Sequence, residues 1–122
     1  MMDERRKQGN VGEMHAALYL QKKGYTILHQ QWRQLPYGEI DIIARRGKEL
    51  VFVEVKTRRS RAFGYPEEAV TKKKRQKIAG LIDRYLQIHR HRDVAYRFDV
   101  IAVEFLDEMP QITHLEAIGL EA

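Results

Sequence analysis

The sequence predicts one α/β domain of the α+β kind, a central mixed β-sheet flanked by helices. Three observations carry this reading. Glu49 to Thr57 (E-L-V-F-V-E-V-K-T) is a short run of strand formers bounded by charge. Gly38 to Ala44 is a second such run, separated from the first by a turn that contains Gly47. Apolar residues recur at helical spacing before these runs and again after them.

In chain order, residues 1–8 read as a loose, charged N-terminal segment of a single domain spanning 1–122. Gly9 to Lys23 reads as a helix in which Val11, Met14 and Leu18 recur on one side, as do Ala16 and Leu20, with Ala17 adding to the apolar face. Lys22-Lys23-Gly24 is its stop, cations in the last turn and glycine beyond. Glu13 stands one turn before Ala17, on the face expected to lean on the sheet. Tyr25 to His29 is a first strand, and Gln30 to Tyr37 is mixed, running toward a second. Pro36-Tyr37-Gly38 is a turn. The hairpin of Glu39–Ala44 and Leu50–Thr57 follows. Arg58 to Tyr65 lacks periodicity and reads as a loop, and Pro66-Glu67-Glu68 opens a short helical turn. A longer helix runs from about Thr71 to His89, its buried stripe Ile78, Leu81, Ile82, Tyr85 and Leu86. Val94 to Phe105 alternates as a strand, Asp107 to Pro110 turns the chain, and Gln111 to Ile118 is the last strand. The order is helix, three or four strands, helix, two strands.

Strand alternation puts Val51, Val53 and Val55 on one face of the central strand and Leu50, Phe52, Glu54 and Lys56 on the other. That second face starts apolar and ends with a carboxylate and an ammonium about 7 Å apart. In the preceding strand Ile40 and Ile42 share one face, Glu39, Asp41 and Ile43 the other. With Arg46-Gly47 at the turn centre, Asp41 falls opposite Phe52 and diagonal to Glu54. Two carboxylates held about 4 Å apart repel by roughly 4 kcal/mol at an effective dielectric of 20. A shared proton, Lys56 or a divalent cation must offset this. Carboxylate oxygens completed by water and phosphate describe a magnesium site. A metal there would polarise a phosphoryl oxygen and supply hydroxide. Lys56 would orient or deprotonate the attacking water, and Glu13 would complete the metal shell. The plainer account makes Glu54 and Lys56 an exposed strand pair of little energetic weight, and Asp41 and Glu13 solvated residues. Spacing alone leaves both open.

The blocks Gly12-Glu13, Tyr19-Leu20 with Gly24-Tyr25, Gly38-Glu39-Ile40-Asp41, Leu50 to Arg58, Phe63-Gly64, Pro66 with Glu68-Ala69-Val70, and Arg97-Phe98-Asp99-Val100 cover most of the chain. On these residues it resembles the YraN family of small bacterial proteins, itself similar to archaeal Holliday junction resolvases within the restriction-endonuclease-like, or PD-(D/E)XK, superfamily. The resemblance implies a restriction-endonuclease-like fold and Mg2+ or Mn2+ as cofactor. It matches Asp41 and Glu54 to metal-binding carboxylates, Lys56 to the catalytic lysine, and Glu13 to a helix acid of the resolvase branch. Ile40, where the signature has proline, is a departure that leaves the carboxylate in place. The resolvase likeness also implies a homodimer, although the sequence shows no exposed apolar stripe that demands one.

The formal net charge is +5 and the pI about 9.6. Excess positive charge favours polyanions. Lys72, Lys73, Lys74, Arg75 and Lys77 crowd the start of the long helix, where cations oppose the helix dipole. Together with Arg58, Arg59 and Arg61 after Lys56, they form an expected nucleic-acid surface, for DNA rather than RNA. Trp32 and the scattered histidines are assigned to packing or surface roles, and Arg97 and Asp99 to a pair with each other. There is no cysteine, no signal-peptide pattern and no apolar run long enough for a membrane, so a soluble cytoplasmic protein is the expectation. The leading functional expectation is a metal-dependent endonuclease-like hydrolase acting on branched or single-stranded DNA by metal-activated water. The alternatives are a nucleic-acid-binding module with a silent nuclease site and a protein-interaction domain.

Overall fold

Five strands in the spatial order β1-β2-β3-β4-β5 form one mixed sheet, with a helix packed on each face. In the computed structural model, residues 4–59, 71–106 and 109–120 are described, with side chains from residue 10 onward. The elements are α1 (Glu4–Lys22), β1 (Thr26–Gln34), β2 (Gly38–Arg46), β3 (Glu49–Arg58), α2 (Lys72–Ile88), β4 (Tyr96–Glu104) and β5 (Gln111–Leu115). This is the α+β architecture the pattern predicts, consistent with a restriction-endonuclease-like fold. The Pro66–Glu68 helical turn, Arg61 and most of the Arg58–Tyr65 loop lie outside the described residues. The β1–β2, β2–β3 and β4–β5 pairs are antiparallel, and β3 and β4 are parallel. A parallel pair needs a crossover connection, and α2 supplies it.

Two cores result. Leu50, Phe52, Phe98 and Val100 meet Ile78, Leu81, Ile82 and Tyr85 of α2, with Trp32 and Leu86 partly buried against them. Val51, Val53, Ile101 and Val103 meet Ala16, Ala17 and Leu20 of α1. The two faces of β3 are thus those its alternation predicts. Thr71 caps α2, its Oγ1 accepting from the Lys74 amide at 3.2 Å, and His89 closes the other end.

Four expectations about the first helix and the hairpin need correction, and a fifth about the last strand. The first helix reaches back to Glu4, so only residues 1–3 of the expected loose segment fall outside the described chain. Val11, Met14 and Leu18 are exposed, at 41%, 52% and 49%, and form the apolar stripe on α1 that the sequence reading did not foresee. The buried face is Gly12 with the expected Ala16, Ala17 and Leu20, and α1 sits close to the sheet: a Cβ on Gly12 would lie 1.9 Å from Thr57 Oγ1. In β2, Ile42 faces α1 whereas Ile40 joins Ile43 on the α2 side, so these two isoleucines do not share a face. The alternation breaks beside Gln31 of β1, a non-glycine residue at φ 52° between the Trp32–Ile40 and Gln30–Ile42 pairs. Finally, the β2–β3 turn is Gly47-Lys48, closed by Arg46 opposite Glu49. Gly47 has φ 61°, positive at the first central residue as a type II′ hairpin turn requires. Ile43, not Asp41, therefore stands opposite Phe52.

The last strand ends at Leu115 rather than Ile118 because Ala117 turns the chain at φ 53°. The Ile118 amide then rejoins β4 by donating to the Phe98 carbonyl at 2.7 Å.

Candidate functional site

The pairing of β2 with β3 runs as far as Ile42 opposite Val53. Asp41 is the next residue of β2, at the break in alternation. Its carboxylate Oδ2 accepts the Val55 amide at 2.8 Å, a side-chain substitute for a ladder carbonyl. Glu54 and Lys56 continue the face of β3 that begins with Leu50 and Phe52, just past the end of the α2 core. Glu54 Oε1 accepts from Lys56 Nζ at 3.3 Å and from Lys74 Nζ, in the first turn of α2, at 2.7 Å. Glu13 arrives from α1 through the close Gly12–Thr57 approach and is 8% exposed. Gln31 Nε2 donates to its Oε2 at 3.4 Å, while its Oε1 is buried without a hydrogen-bond partner. Glu13 also lines a cavity of about 390 Å³ between α1 and β1, with Met14, Leu18, Gln30 and Gln31.

The electrostatics of these groups are coupled. Burial, then the Glu54 charge, pushes Asp41 from 3.8 to about 7, against the Val55 hydrogen bond; Glu13 and Glu39 add to the rise. Burial raises Glu13 too, against the Gln31 hydrogen bond. Lys56 is lowered by burial and by Lys74, against the pull of Glu54. Burial also works against the charge on Lys74, but its hydrogen bonds to Glu54 and Lys56 and the charges of Glu54 and Asp41 outweigh it and raise Lys74.

Three carboxylates with net repulsion and an orphaned oxygen on Glu13 fit the donor set of a hard divalent cation, which takes oxygen ligands. Their oxygens do not stand mutually within 4.8 Å; among the described residues the group of three ligand-type side chains that does is Asp99, His114 and Glu116. That cluster could hold a metal ion by proximity, and the sequence reading passed it over.

Its interior is already occupied by protein donors. Asp99 is wholly buried and accepts from Arg97 Nε at 3.0 Å, from the Ala117 amide at 2.9 Å and from His114 Nε2 at 2.7 Å. Arg97 also reaches Glu49 at 2.7 Å, Glu116 at 3.0 Å and the Tyr25 hydroxyl. Burial works to raise Asp99, but the bonds from His114, Arg97 and Ala117 outweigh it and hold the carboxyl below its ordinary value. Arg97 and Asp99 do pair, as alternation on one strand face predicts. His114 was not legible as their partner, because only the β4–β5 register, Ile101 opposite His114, brings it there.

The basic residues divide. Lys72, Lys73 and Lys77 are exposed on the first turns of α2, and Arg59 is exposed after β3. Lys74 turns inward to Glu54, and Arg75 buries its Nε without a hydrogen-bond partner. Arg58 is half-buried, and Arg61 lies outside the described residues. No helix among the described residues is long and apolar enough to cross a membrane.

The sequence model of the uncharacterised protein family UPF0102 matches residues 12–103, which span α1 from Gly12 through most of β4. A UPF0102 protein of Caldicellulosiruptor saccharolyticus is 46% identical over 81% of this chain and 83% of its own length. One of Herpetosiphon aurantiacus is 41% identical over 99% of this chain and all of its own, and one of Moorella thermoacetica 43% identical over 93% of each. The chain therefore belongs to the uncharacterised protein family UPF0102, the YraN family its motifs resemble.

Proposed function

We propose that this chain is a metal-dependent, endonuclease-like protein that docks branched or otherwise structured DNA and hydrolyses its phosphodiester bonds. The observation that carries the reading is that Glu54 and Glu13, from separate elements, both act on the charge of Asp41, which is raised to about 7, while Lys56 pairs with Glu54 at 3.3 Å and Glu13 Oε1 has no hydrogen-bond partner. A strongly perturbed carboxyl such as Asp41 near a lysine lowered by burial is a signature of reactive sites. Asp41 and Glu54 would hold Mg2+ or Mn2+, with Glu13 in support. When bound, such an ion supplies a Lewis acid for the phosphoryl oxygen and a lowered pKa for water.

Lys56 carries the protein's own part of the chemistry. Its Nζ orients the attacking water or takes its proton, a role favoured by a pKa moved down toward the working pH. Water attacks phosphorus, the P–O ester bond breaks, and the leaving oxygen gains a proton. The exposed Lys72, Lys73 and Lys77 hold the strand by its phosphates, with Arg58 at the end of β3 and Arg59 and Arg61 beyond it in the same role. The test is cleavage of branched, duplex and single-stranded DNA with Mg2+ or Mn2+. Activity should vanish in Asp41→Ala and Glu54→Ala; activity that survives both removes the assignment.

One observation favours a second reading. Glu54 Oε1 already carries two ammonium groups, so the free protein neutralises part of its own site. A silent module would bind nucleic acid without cutting it. With about six phosphate contacts the log–log salt slope of binding should then approach −5.

A further inference from the structure

We propose that Lys74 is an internal counter-ion that holds the cation position at Glu54 in the free protein and leaves it when a phosphodiester arrives, which couples metal entry to nucleic-acid docking. The inference rests on the metal-site reading above and concerns how that site is filled.

Lys74 Nζ lies nearer to Glu54 Oε1 than Lys56 does, 2.7 Å against 3.3 Å. A divalent ion binding that oxygen must displace the closer ammonium. Nothing in local helix physics asks for a lysine here. The first turn of α2 contains no acid, and a cation there opposes the dipole. Its gain comes from the carboxylates across the gap, from Glu54 first and then from the charge of Asp41. The arrangement is also self-limiting, since Lys56 and Lys74 compete for one carboxylate oxygen.

The backbone of Lys74 is fixed by the Thr71 cap at 3.2 Å, whereas its four-carbon stem is free to swing. Its side chain is 33% exposed, so the ammonium already has a path to solvent. Lys72, Lys73 and Lys77 are exposed on the same turns. A phosphate drawn to that surface offers Lys74 a second anion within reach, and Glu54 is then released to the metal. Linkage makes the effect reciprocal: the metal, by expelling Lys74, strengthens phosphate binding.

The experiment is Mn2+ binding to the full chain, read by electron paramagnetic resonance of the free ion, with no DNA present. Lys74→Gln should bind Mn2+ about tenfold more tightly than the parent, within the usual span of coupled sites. Lys74→Arg, which keeps the charge, should bind no more tightly than the parent. Lys48→Gln makes the same change in net charge at the exposed β2–β3 turn and should stay within about twofold of the parent, because solvent screens it. The proposal is overturned if Lys74→Gln gains nothing, or if Lys48→Gln gains as much. Binding by the parent that is lost in Asp41→Asn shows that the metal site stands even where the Lys74 role fails. Absence of binding in both the parent and Lys74→Gln removes the metal site and this role together.

Discussion

Asp99 on β4 and Asp41 on β2 are both aspartates withdrawn from water on interior strands, yet they are balanced in opposite ways. Asp99 receives a guanidinium, an imidazole and a backbone amide, and is held below its ordinary pKa. Asp41 receives one backbone amide, faces the charges of Glu54 and Glu13, and is pushed to about 7. The first cluster spends its charges on one another. The second leaves repulsion unresolved and one Glu13 oxygen unpaired. A buried polar network that satisfies itself serves the fold, and one that does not is a place for a ligand. Proximity of ligand atoms alone selects the other cluster, since among the described residues Asp99, His114 and Glu116 are the closer set.

The largest effect expected from this contrast is on stability. Asp99→Ala removes at one stroke the buried acceptor of Arg97 Nε, His114 Nε2 and the Ala117 amide, leaving Arg97 paired to Glu49 and Glu116, and should cost about 3–5 kcal/mol in urea unfolding. A cost below about 1 kcal/mol would mean that the β4–β5 network is not what holds that end of the sheet. Lys56→Ala should behave in the reverse manner. Cleavage should fall by about a hundredfold or more while the melting temperature stays close to that of the parent.

The two aspartates should also part in their pH dependence. Asp41 has a folded value near 7 against an ordinary 3.8, so the folded chain binds this proton more tightly than the unfolded chain does. Its contribution to stability is full below pH 3.8 and is lost as the pH rises through 7. Asp41→Asn, measured without metal, should remove that loss and leave the variant more stable than the parent above pH 7. The difference should grow by at most about 1.4 kcal/mol per pH unit inside the window. Equal pH profiles for parent and variant would place Asp41 in a relaxed environment.

Gly12→Ala should cost about 1–3 kcal/mol, because the new methyl group meets Thr57 at 1.9 Å and α1 must move off β3. Glu13 moves with it, so metal affinity should fall as well. Adding Thr57→Ala to that variant should recover part of both. The smallest change is in salt dependence: replacing Lys72 and Lys73 together by alanine should flatten the log–log slope of DNA binding by roughly 2. An unchanged slope would take those lysines out of the interface.

Much of this molecule was legible in sequence because its strongest signals are local. The type II′ glycine at Gly47, the alternation of Leu50 to Lys56 and the stripe of α2 each declare themselves within a few residues. The register of the hairpin was misjudged by two positions, since the turn centre is Gly47-Lys48. Glu54 and Lys56 share a face by alternation within β3 whatever the register, and an even slip leaves the face of β2 that meets them unchanged. The break at Ile40–Ile42 is not legible in β2 itself, because the irregular residue beside it, Gln31 at φ 52°, lies on a different strand. The face of α1 misled for a physical reason. A helix lying very close to a sheet buries Gly12, Ala16 and Ala17 beside Leu20 and turns Val11, Met14 and Leu18 outward, which hydrophobic size alone does not suggest. Lys74 was visible as one of a basic run. Its turn toward Glu54 is a tertiary fact, set by where Thr71 starts α2 relative to the end of β3.

The most direct test is anomalous diffraction at the manganese edge from crystals soaked in Mn2+. A peak among Asp41, Glu54 and Glu13, with none at Asp99, His114 and Glu116, is the predicted result. A peak confined to the Asp99 cluster, or no peak beside Asp41 at high Mn2+, would contradict the account.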